Sequence, residues 1–414
     1  MVAITDKQNA LEKATPEEQK DKQLWRDLVA FWILGLCNNF GYVVMLSAAH
    51  DIIARFEADT DIAVVDPKAE VLERQCNIVS TGAILLADVI PGFVVKLLMP
   101  FLPFWINTRV ATAVVLSVAG FLCVGFAEVE MIALLGVVCT SAACGMGESS
   151  ILAYTSNYNR NSLSTWSSGT GGAGIIGALA YAGLCAINVS SRNIMLIMLV
   201  VPLLECIAFW IILRKPSGTV DNSLPSIEYN SEDDKPLQGT KDKLLYITSL
   251  FKYMLPLLFV YFFEYFINQG LFELVDFENS FLDKESQYRW LCVDYQIGVF
   301  ISRSSVNLIT FKHIWILSLL QFVNVAYFLT EVIFFYTPSI WIAFAVVFWE
   351  GLLGGGAYVN TFYRMSSEVP RSRQEFAIGV TVQADSLGIM LSGFLALPVH
   401  NAICRLPAHP RILF

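Results

Sequence analysis

Charge is scarce in this 414-residue chain. Only 15% of its residues are charged, against roughly 25% in an average soluble domain, which excludes a water-soluble fold needing a polar surface. Histidine is scarcer still. The four, His50, His313, His400 and His409, stand too far apart to form a metal box, and the nine cysteines include no C-x-x-C pair. Intramembrane enzymes that depend on zinc or iron thus lose their usual ligand set, and neither a cofactor nor an enzymatic activity is expected. Most cysteines, such as Cys123, Cys139, Cys144 and Cys206, fall in apolar runs and read as small packing residues. No excess of basic charge exists either, and a formal net charge of -9 argues against a nucleic-acid partner. Residues 1–27 have no apolar core followed by a small-residue cleavage site, so no cleaved signal peptide is expected and the first apolar run serves as the insertion signal.

What is present is apolar length. Hydrophobic residues make up 55% of the chain, with a mean hydropathy of +0.57. A helical crossing of the hydrocarbon core needs roughly 20 apolar residues. Eleven runs qualify, at about 28–49, 78–99, 109–127, 130–152, 169–188, 194–213, 251–273, 289–308, 314–335, 338–360 and 374–397. The chain therefore reads as an all-α polytopic membrane protein whose first partner is the lipid bilayer.

Basic residues orient it. With a cytosolic N-terminus, 19 of the 27 Lys and Arg residues fall in the cytosolic tail and loops and 8 on the other side, the asymmetry expected of positive-inside topology. The sole N-glycosylation pattern, Asn188-Val189-Ser190, then faces the lumen or exterior. Five segments follow: a cytosolic tail at 1–27, a six-helix bundle at 28–213, a flexible cytosolic linker at 214–250, a five-helix bundle at 251–397 and a C-terminal tail at 398–414. The linker holds Pro216, Pro225, Pro236 and the acidic run from Glu232 to Asp234, a composition that builds no core.

Six spans, a long cytosolic loop and a second bundle are familiar from the major-facilitator fold, whose halves are parallel repeats with the substrate between them. Weak internal symmetry agrees. Asn39-Phe40-Gly41 in span one matches Asn268-Gln269-Gly270 in span seven, Gly147-Glu148 in span four matches Glu350-Gly351 in span ten, and GIIG at 174–177 matches the region of Gly388, Ile389 and Gly393. The G-x-x-x-D-R pattern common after the second facilitator helix is missing, as is a twelfth span.

A mid-bilayer charge costs roughly 2.5 to 3.5 kcal/mol on insertion scales, so intramembrane polar groups face a cavity or a partner. In span seven Glu264 and Asn268 share a face, with Gln269 and Glu273 adjacent. In span eight Gln296, Phe300, Arg303 and Asn307 form one stripe. Arg303 can grip phosphate or carboxylate oxygens bidentately, or close a gate by pairing with an acid on another helix. Lys96 lies near the cytosolic end of span two, where a snorkelling lysine is ordinary; Asp88, deeper on that helix, is a stronger cavity candidate. Span eleven carries Thr381, Asp385, Gly388 and Ser392 at helical spacing. Span five, with SSGTGGAGIIG at 167–177, reads as tight helix packing or a locally broken helix.

Several long segments also carry a resemblance. FWILGLCNNFGYVVMLSAAHDI at 31–52, LLADVIPGFVVKLL at 85–98, WSSGTGGAGIIGAL at 166–179, VYFFEYFINQGLFEL at 260–274, YQIGVFISRSS at 295–305, EGLLGGGAYVNTF at 350–362 and DSLGIMLSGFLALPVH at 385–400 resemble the battenin family of lysosomal membrane proteins. The resemblance implies a major-facilitator-like protein of lysosomal and endosomal membranes, linked to clearance of glycerophosphodiesters and associated with lysosomal pH and basic amino-acid levels. It also places Glu273, Arg303 and Asp385 in disease-sensitive motifs. The ends depart from the vertebrate pattern: Val2 replaces a myristoylation glycine, and Cys404 is too far from the end for a prenylation box.

The expected activity is export of a small anionic solute by alternating access. Arg303 with Lys96 would hold a phosphate, Asn39, Asn268 and Gln296 would bond the head group, and Asp88, Glu264, Glu350 or Asp385 would carry a coupled proton or a gate. Glu148 and Glu273 are further candidates. A basic amino-acid or proton-linked carrier, and a membrane scaffold acting through linker and tail, are the alternatives.

Overall fold

A computed structural model describes residues 16–57, 81–215, 237, 239–277, 280, 282 and 284–407. They form helices and short 3-10 or π turns, and no strand occurs among the described residues. Eleven long helices follow the eleven apolar runs: α1 Pro16–Glu57, α2 Thr81–Leu98, α3 Ile106–Gly125, α4 Glu130–Gly147, α5 Arg160–Ala186, α6 Ser191–Ile212, α7 Gly239–Gly270, α8 Lys284–Ser304, α9 Ile314–Phe334, α10 Ile340–Glu368 and α11 Arg371–Cys404. Eight are long and apolar enough to cross a bilayer on length and composition alone. The other three, α2, α5 and α8, supply Lys96, Thr170 and Arg303 to the interior. Large apolar side chains such as Val115, Met131, Ile211, Leu319 and Trp341 lie exposed on the outside, where lipid and not water is their solvent.

Helix ends differ from the sequence expectation at three places. The 1–27 tail is not all outside the helices, since α1 begins at Pro16, where Pro16-Glu17-Glu18 has the composition of a helix start. The second part of the 214–250 linker is the first turns of α7, beginning at Gly239, while 216–236 lie outside the described residues. The tail expected from Pro398 is still helix to Cys404, because a membrane helix tolerates an internal proline where neighbouring helices satisfy the freed backbone.

Packing repeats between the first and second sets of helices. Helix α1 packs along α5 as α7 packs along α11, and α2 packs on α4 as α8 packs on α10; α2 with α11 and α5 with α8 then join the two halves. These pairings exchange under an approximate two-fold. The contacts fix its register. A Cβ at Gly169 would strike the Trp32 carbonyl and the Leu36 amide, and one at Gly388 would strike the Leu258 carbonyl and the Phe262 amide; Gly145 meets the Gly92 carbonyl as Gly355 meets that of Val299. Such approach of backbones is the use that membrane helices make of small residues, and span five is a continuous helix packed this way, not a broken one.

This register corrects the matches read from sequence. Seven residues past Trp32 and Leu258 stand Asn39 and Tyr265, so Asn39 and Asn268 are not equivalent; Asn268 corresponds to Tyr42. Three residues past Gly145 and Gly355 stand Glu148 and Tyr358, so Glu148 corresponds to Tyr358 and not to Glu350. Four past Gly92 and Val299 stand Lys96 and Arg303. The sequence matches slipped by a turn or two because small and polar residues recur at helical spacing on each inner face.

Candidate functional site

Lys96 and Arg303, equivalent under the two-fold, both point into the contact between the halves. Helix α2 carries Lys96 onto α4 and α11. Its Nζ lies 2.5 Å from Glu148 Oε2 and 3.4 Å from Asp385 Oδ1, and donates to Ser386 Oγ at 2.7 Å. Gln383 Nε2 donates to the Lys96 carbonyl at 3.1 Å. Lys96 is 6% exposed, so it is not the snorkelling lysine that its place near a helix end suggested. A π turn, Glu148–Leu152, follows α4 and begins at this acid; such turns favour functional sites.

Arg303 comes from the last turn of α8. Its Nη1 donates to Thr170 Oγ1 of α5 at 2.7 Å, its Nη2 to the Tyr261 hydroxyl of α7 at 2.8 Å, and its guanidinium carbon lies 4.3 Å from the centre of the Tyr358 ring. Among the described residues no carboxylate lies within ion-pair distance of it and its Nε has no hydrogen-bond partner. The ion pair to another helix weighed for Arg303 is formed by Lys96 instead. The Tyr358 hydroxyl donates to Glu148 Oε1 at 2.6 Å, linking the two cations through the pair of residues that the two-fold also relates. Its own ring is what Arg303 stacks upon.

The other candidates lie apart from this pair of cations. Asp88, 2% exposed, has no partner for either oxygen among the described residues; Tyr42 interacts with it electrostatically. Asn268 is buried with its Oδ1 unpartnered among them, while Gln296 lies against Gly174 in the contact of α5 with α8. Asn39 is turned into the first half: Cys144 Sγ donates to its Oδ1 at 3.5 Å, and neighbouring Asn38 donates to the Cys144 carbonyl at 3.3 Å. These two contacts tie α1 to α4. Glu264 accepts a hydrogen bond from the Tyr295 hydroxyl, and Glu350 lies wholly buried on α10. Glu273 sits apart, its Oε1 2.5 Å from His400 Nε2 at the far end of α7 and α11. Cys404, one turn on, is disulfide-bonded, so the reading of the cysteines as packing residues does not hold there.

Sequence reasoning passed over Thr170, Tyr261, Tyr295 and Tyr358, since a hydroxyl in an aromatic-rich span has no charge to draw notice. It also passed over Glu205 on α6, buried near Cys37 with its Oε1 unpartnered among the described residues. The repeat register was the signal that could have found Tyr358.

Beyond this constellation, at the end of the bundle bearing the start of α1 and both linker ends, the halves also touch. Ser168 and Ser304 hydroxyls are 2.9 Å apart, Asn307 Nδ2 donates to Ser164 Oγ at 3.4 Å, and Phe101 meets Phe376 edge to face at 6.1 Å. A cavity of about 60 Å³ remains there, lined by Tyr158, Arg371 and Gln374 among others.

Two helical halves in this pairing, with a buried polar constellation where they meet, define a membrane protein of the major-facilitator architecture. The human organic anion transporter MFSD10 superposes with a TM-score of 0.60 at 11% identity, over 94% of this chain and 96% of its own; a bacterial homolog of the human lysosomal transporter Spinster, inward-facing and unoccupied, gives 0.55 at 16%, over 89% and 80%. Residues 29–406 match the family described as CLN3 protein, and the chain belongs to that family. Battenin of Canis lupus familiaris is 40% identical over 424 residues, covering 97% of this chain and 96% of its own length. The protein BTN1 of Chaetomium globosum is 35% identical over 428 residues, covering 91% and 88%, and that of Saccharomyces cerevisiae 33% over 414 residues, covering 91% and 94%. Family and fold together point to a membrane transporter.

Proposed function

We propose that the protein exports a small anionic solute, of the glycerophosphodiester class, from lysosomes or endosomes by alternating access, with the anion held between the halves at Arg303. One observation carries this. Of two equivalent buried cations, Lys96 is in ion-pair contact with two acids, whereas Arg303 directly touches hydroxyls and a ring and has acids only at longer range, so Arg303 is the one left to take an anion. A planar guanidinium offers phosphate oxygens two parallel hydrogen bonds.

Transport then follows from the ties between halves. Lys96 holds α2 and α4 to α11 while the linker end is shut. An anion arriving at Arg303 draws on the same Tyr358 and Glu148 and loosens Lys96 from its acids, which frees the halves to rock and open the linker end. The basic-residue asymmetry makes that end cytosolic, and a disulfide at Cys404 on the opposite end suits an oxidising lumen. The family's lysosomal association, the organic anions of one fold neighbour and the lysosomal relative of another favour this cargo and membrane.

The test is flux in reconstituted vesicles with labelled glycerophosphocholine. Losing charged hydrogen bonds of about 1.5 to 3 kcal/mol raises the half-saturating concentration roughly ten- to hundredfold in Arg303→Ala, and Arg303→Lys recovers only part. Unchanged kinetics in a stable Arg303→Ala protein refutes the reading. Asp88 favours a second one, since a buried acid beside Tyr42 with no donor among the described residues suits a basic amino acid; labelled arginine in the same vesicles decides. Lysosomal pH would respond to either cargo if protons move with it.

A further inference from the structure

We propose that Glu350, paired with Glu264, is a proton-binding site inside the second half, separate from the Lys96 and Arg303 constellation and coupled to it through helices α7 and α8. The proposal deepens the transport reading and rests on it only for the coupling. The geometry of the proton site stands by itself.

Glu350 is fully buried, and neither of its carboxylate oxygens has a hydrogen-bond partner among the described residues. Glu264, 1% exposed, spends one oxygen on the Tyr295 hydroxyl, and its Oε2 is unpartnered among them. That second oxygen is pressed against Gly354, in the space a Cβ would fill, one helical turn from Glu350 on α10. The absence of a side chain at Gly354 is what lets the acid of α7 reach the backbone of α10. Two buried acids this close, one with no donor at all, cannot both carry charge, because neither solvent nor a cation offsets the second. One proton is therefore held in the pair. It resides on Glu350, since Tyr295 stabilises the ionised form of Glu264.

The charged and titratable surroundings leave that proton unopposed. Glu350 is faced by Glu264 from α7 and Cys292 from α8. Glu264 is faced by Tyr295 and Arg303 from α8 and Asp385 from α11. Tyr265, on α7 itself, also interacts with Glu264. Helix α9 adds one acid, Glu331, which accepts from the Thr337 amide, and α11 adds His400, which is engaged with Glu273. Arg303 is not among the groups that act on Glu350, and its Nη1 and Nη2 are turned to Thr170 and Tyr261.

Coupling comes from two rungs between the same helices. One runs from Arg303 on α8 to the Tyr261 hydroxyl on α7, the other from Tyr295 on α8 to Glu264 on α7. An anion at Arg303 competes with the first rung, and delivery of the Glu350 proton to Glu264 weakens the second. Solute and proton thus bias one spacing, that of α7 and α8, and in a packed bundle such a spacing changes in steps and not continuously.

Infrared difference spectroscopy on the full-length protein in lipid nanodiscs, titrated with pH, tests the site without any transport. The expected result is a protonated-carboxyl carbonyl band that persists well above the range of about 4 where exposed carboxylates ionise and that disappears in Glu350→Gln. A wild-type spectrum from which Glu350→Gln removes nothing overturns the proposal. Should Glu350→Gln fail to fold, Glu264→Gln must shift the band, since it removes the neighbouring acid, and an unshifted band overturns it equally. For the coupling, stimulation of glycerophosphocholine uptake by a proton gradient falls to none in Glu350→Gln; full stimulation overturns the coupling. A band that behaves as expected in a protein that moves no glycerophosphocholine would refute the cargo and leave the proton site standing.

Discussion

Replacing Lys96 by methionine isolates what the buried ion triad does. The lysine is held by Glu148 at 2.5 Å and Asp385 at 3.4 Å, and the three side chains are 7%, 9% and 6% exposed. Methionine keeps most of the volume, so packing changes little and the charge is what is lost. Glu148 retains the Tyr358 hydroxyl and Asp385 its Ser386 contacts, but both acids lose the cation that made their burial tolerable. Removing one partner of a truly buried pair costs about 3 to 5 kcal/mol, and nothing here places the triad at the mild end of that range. Thermal unfolding in detergent should show that loss. Adding Glu148→Gln and Asp385→Asn to Lys96→Met should return most of it, because replacing a whole buried ion cluster with neutral groups is often neutral or stabilising by about 1 to 4 kcal/mol. The triad also ties α2 and α4 to α11, so the single variant should open the linker end. A cysteine at Gly379 reports this: its Cβ would sit at ordinary contact distance, 3.7 Å from Pro100 and 3.8 Å from the Ser149 carbonyl, and should become reactive to an impermeant thiol reagent from that side. A Lys96→Met protein as stable as the wild type, with Gly379→Cys still protected, would refute the reasoning.

Two further outcomes are expected. Gly388→Ala should cost about 1 to 3 kcal/mol by overpacking, as its methyl meets the Leu258 carbonyl and forces α7 from α11; an unchanged unfolding temperature would remove the close approach from the account of the fold. Tags on the two termini should be digested from opposite sides of the membrane, the N-terminal one from the cytosol, and cytosolic access to both would require that one of the eleven helices does not cross.

Much of this architecture could be read in the sequence because lipid enforces a simple rule. Each crossing needs an uninterrupted apolar helix, so the eleven runs landed on the eleven helices, and buried charge is rare enough that Lys96, Arg303, Asp88, Glu264, Glu350 and Asp385 stood out before any packing was known. Partnership could not be read. Lys96 meets Asp385 across 289 residues of chain, and which cation would take the acids depended on a relative rotation of the halves that no local pattern encodes. The Cys144 contact of Asn39 was hidden for the same reason: its stripe position is polar whether it looks toward the other half or toward Cys144. The hydroxyls of Thr170, Tyr261 and Tyr358 escaped notice since only the arginine they surround makes them more than packing.

The repeat places an unusual demand on the residues nearest the two-fold. A position there faces its own counterpart, so strict duplication would set acid against acid or phenol against phenol. Two glutamates would repel, and two tyrosines would leave Lys96 with Asp385 alone and Arg303 without the acid to which Tyr358 links it. Glu148 against Tyr358 answers both difficulties, giving a donor for an acceptor and one negative charge between two positive ones. Divergence of the halves is thus an electrostatic necessity at this point before it is a matter of cargo. It also makes the lysine's half the one that is neutralised at rest.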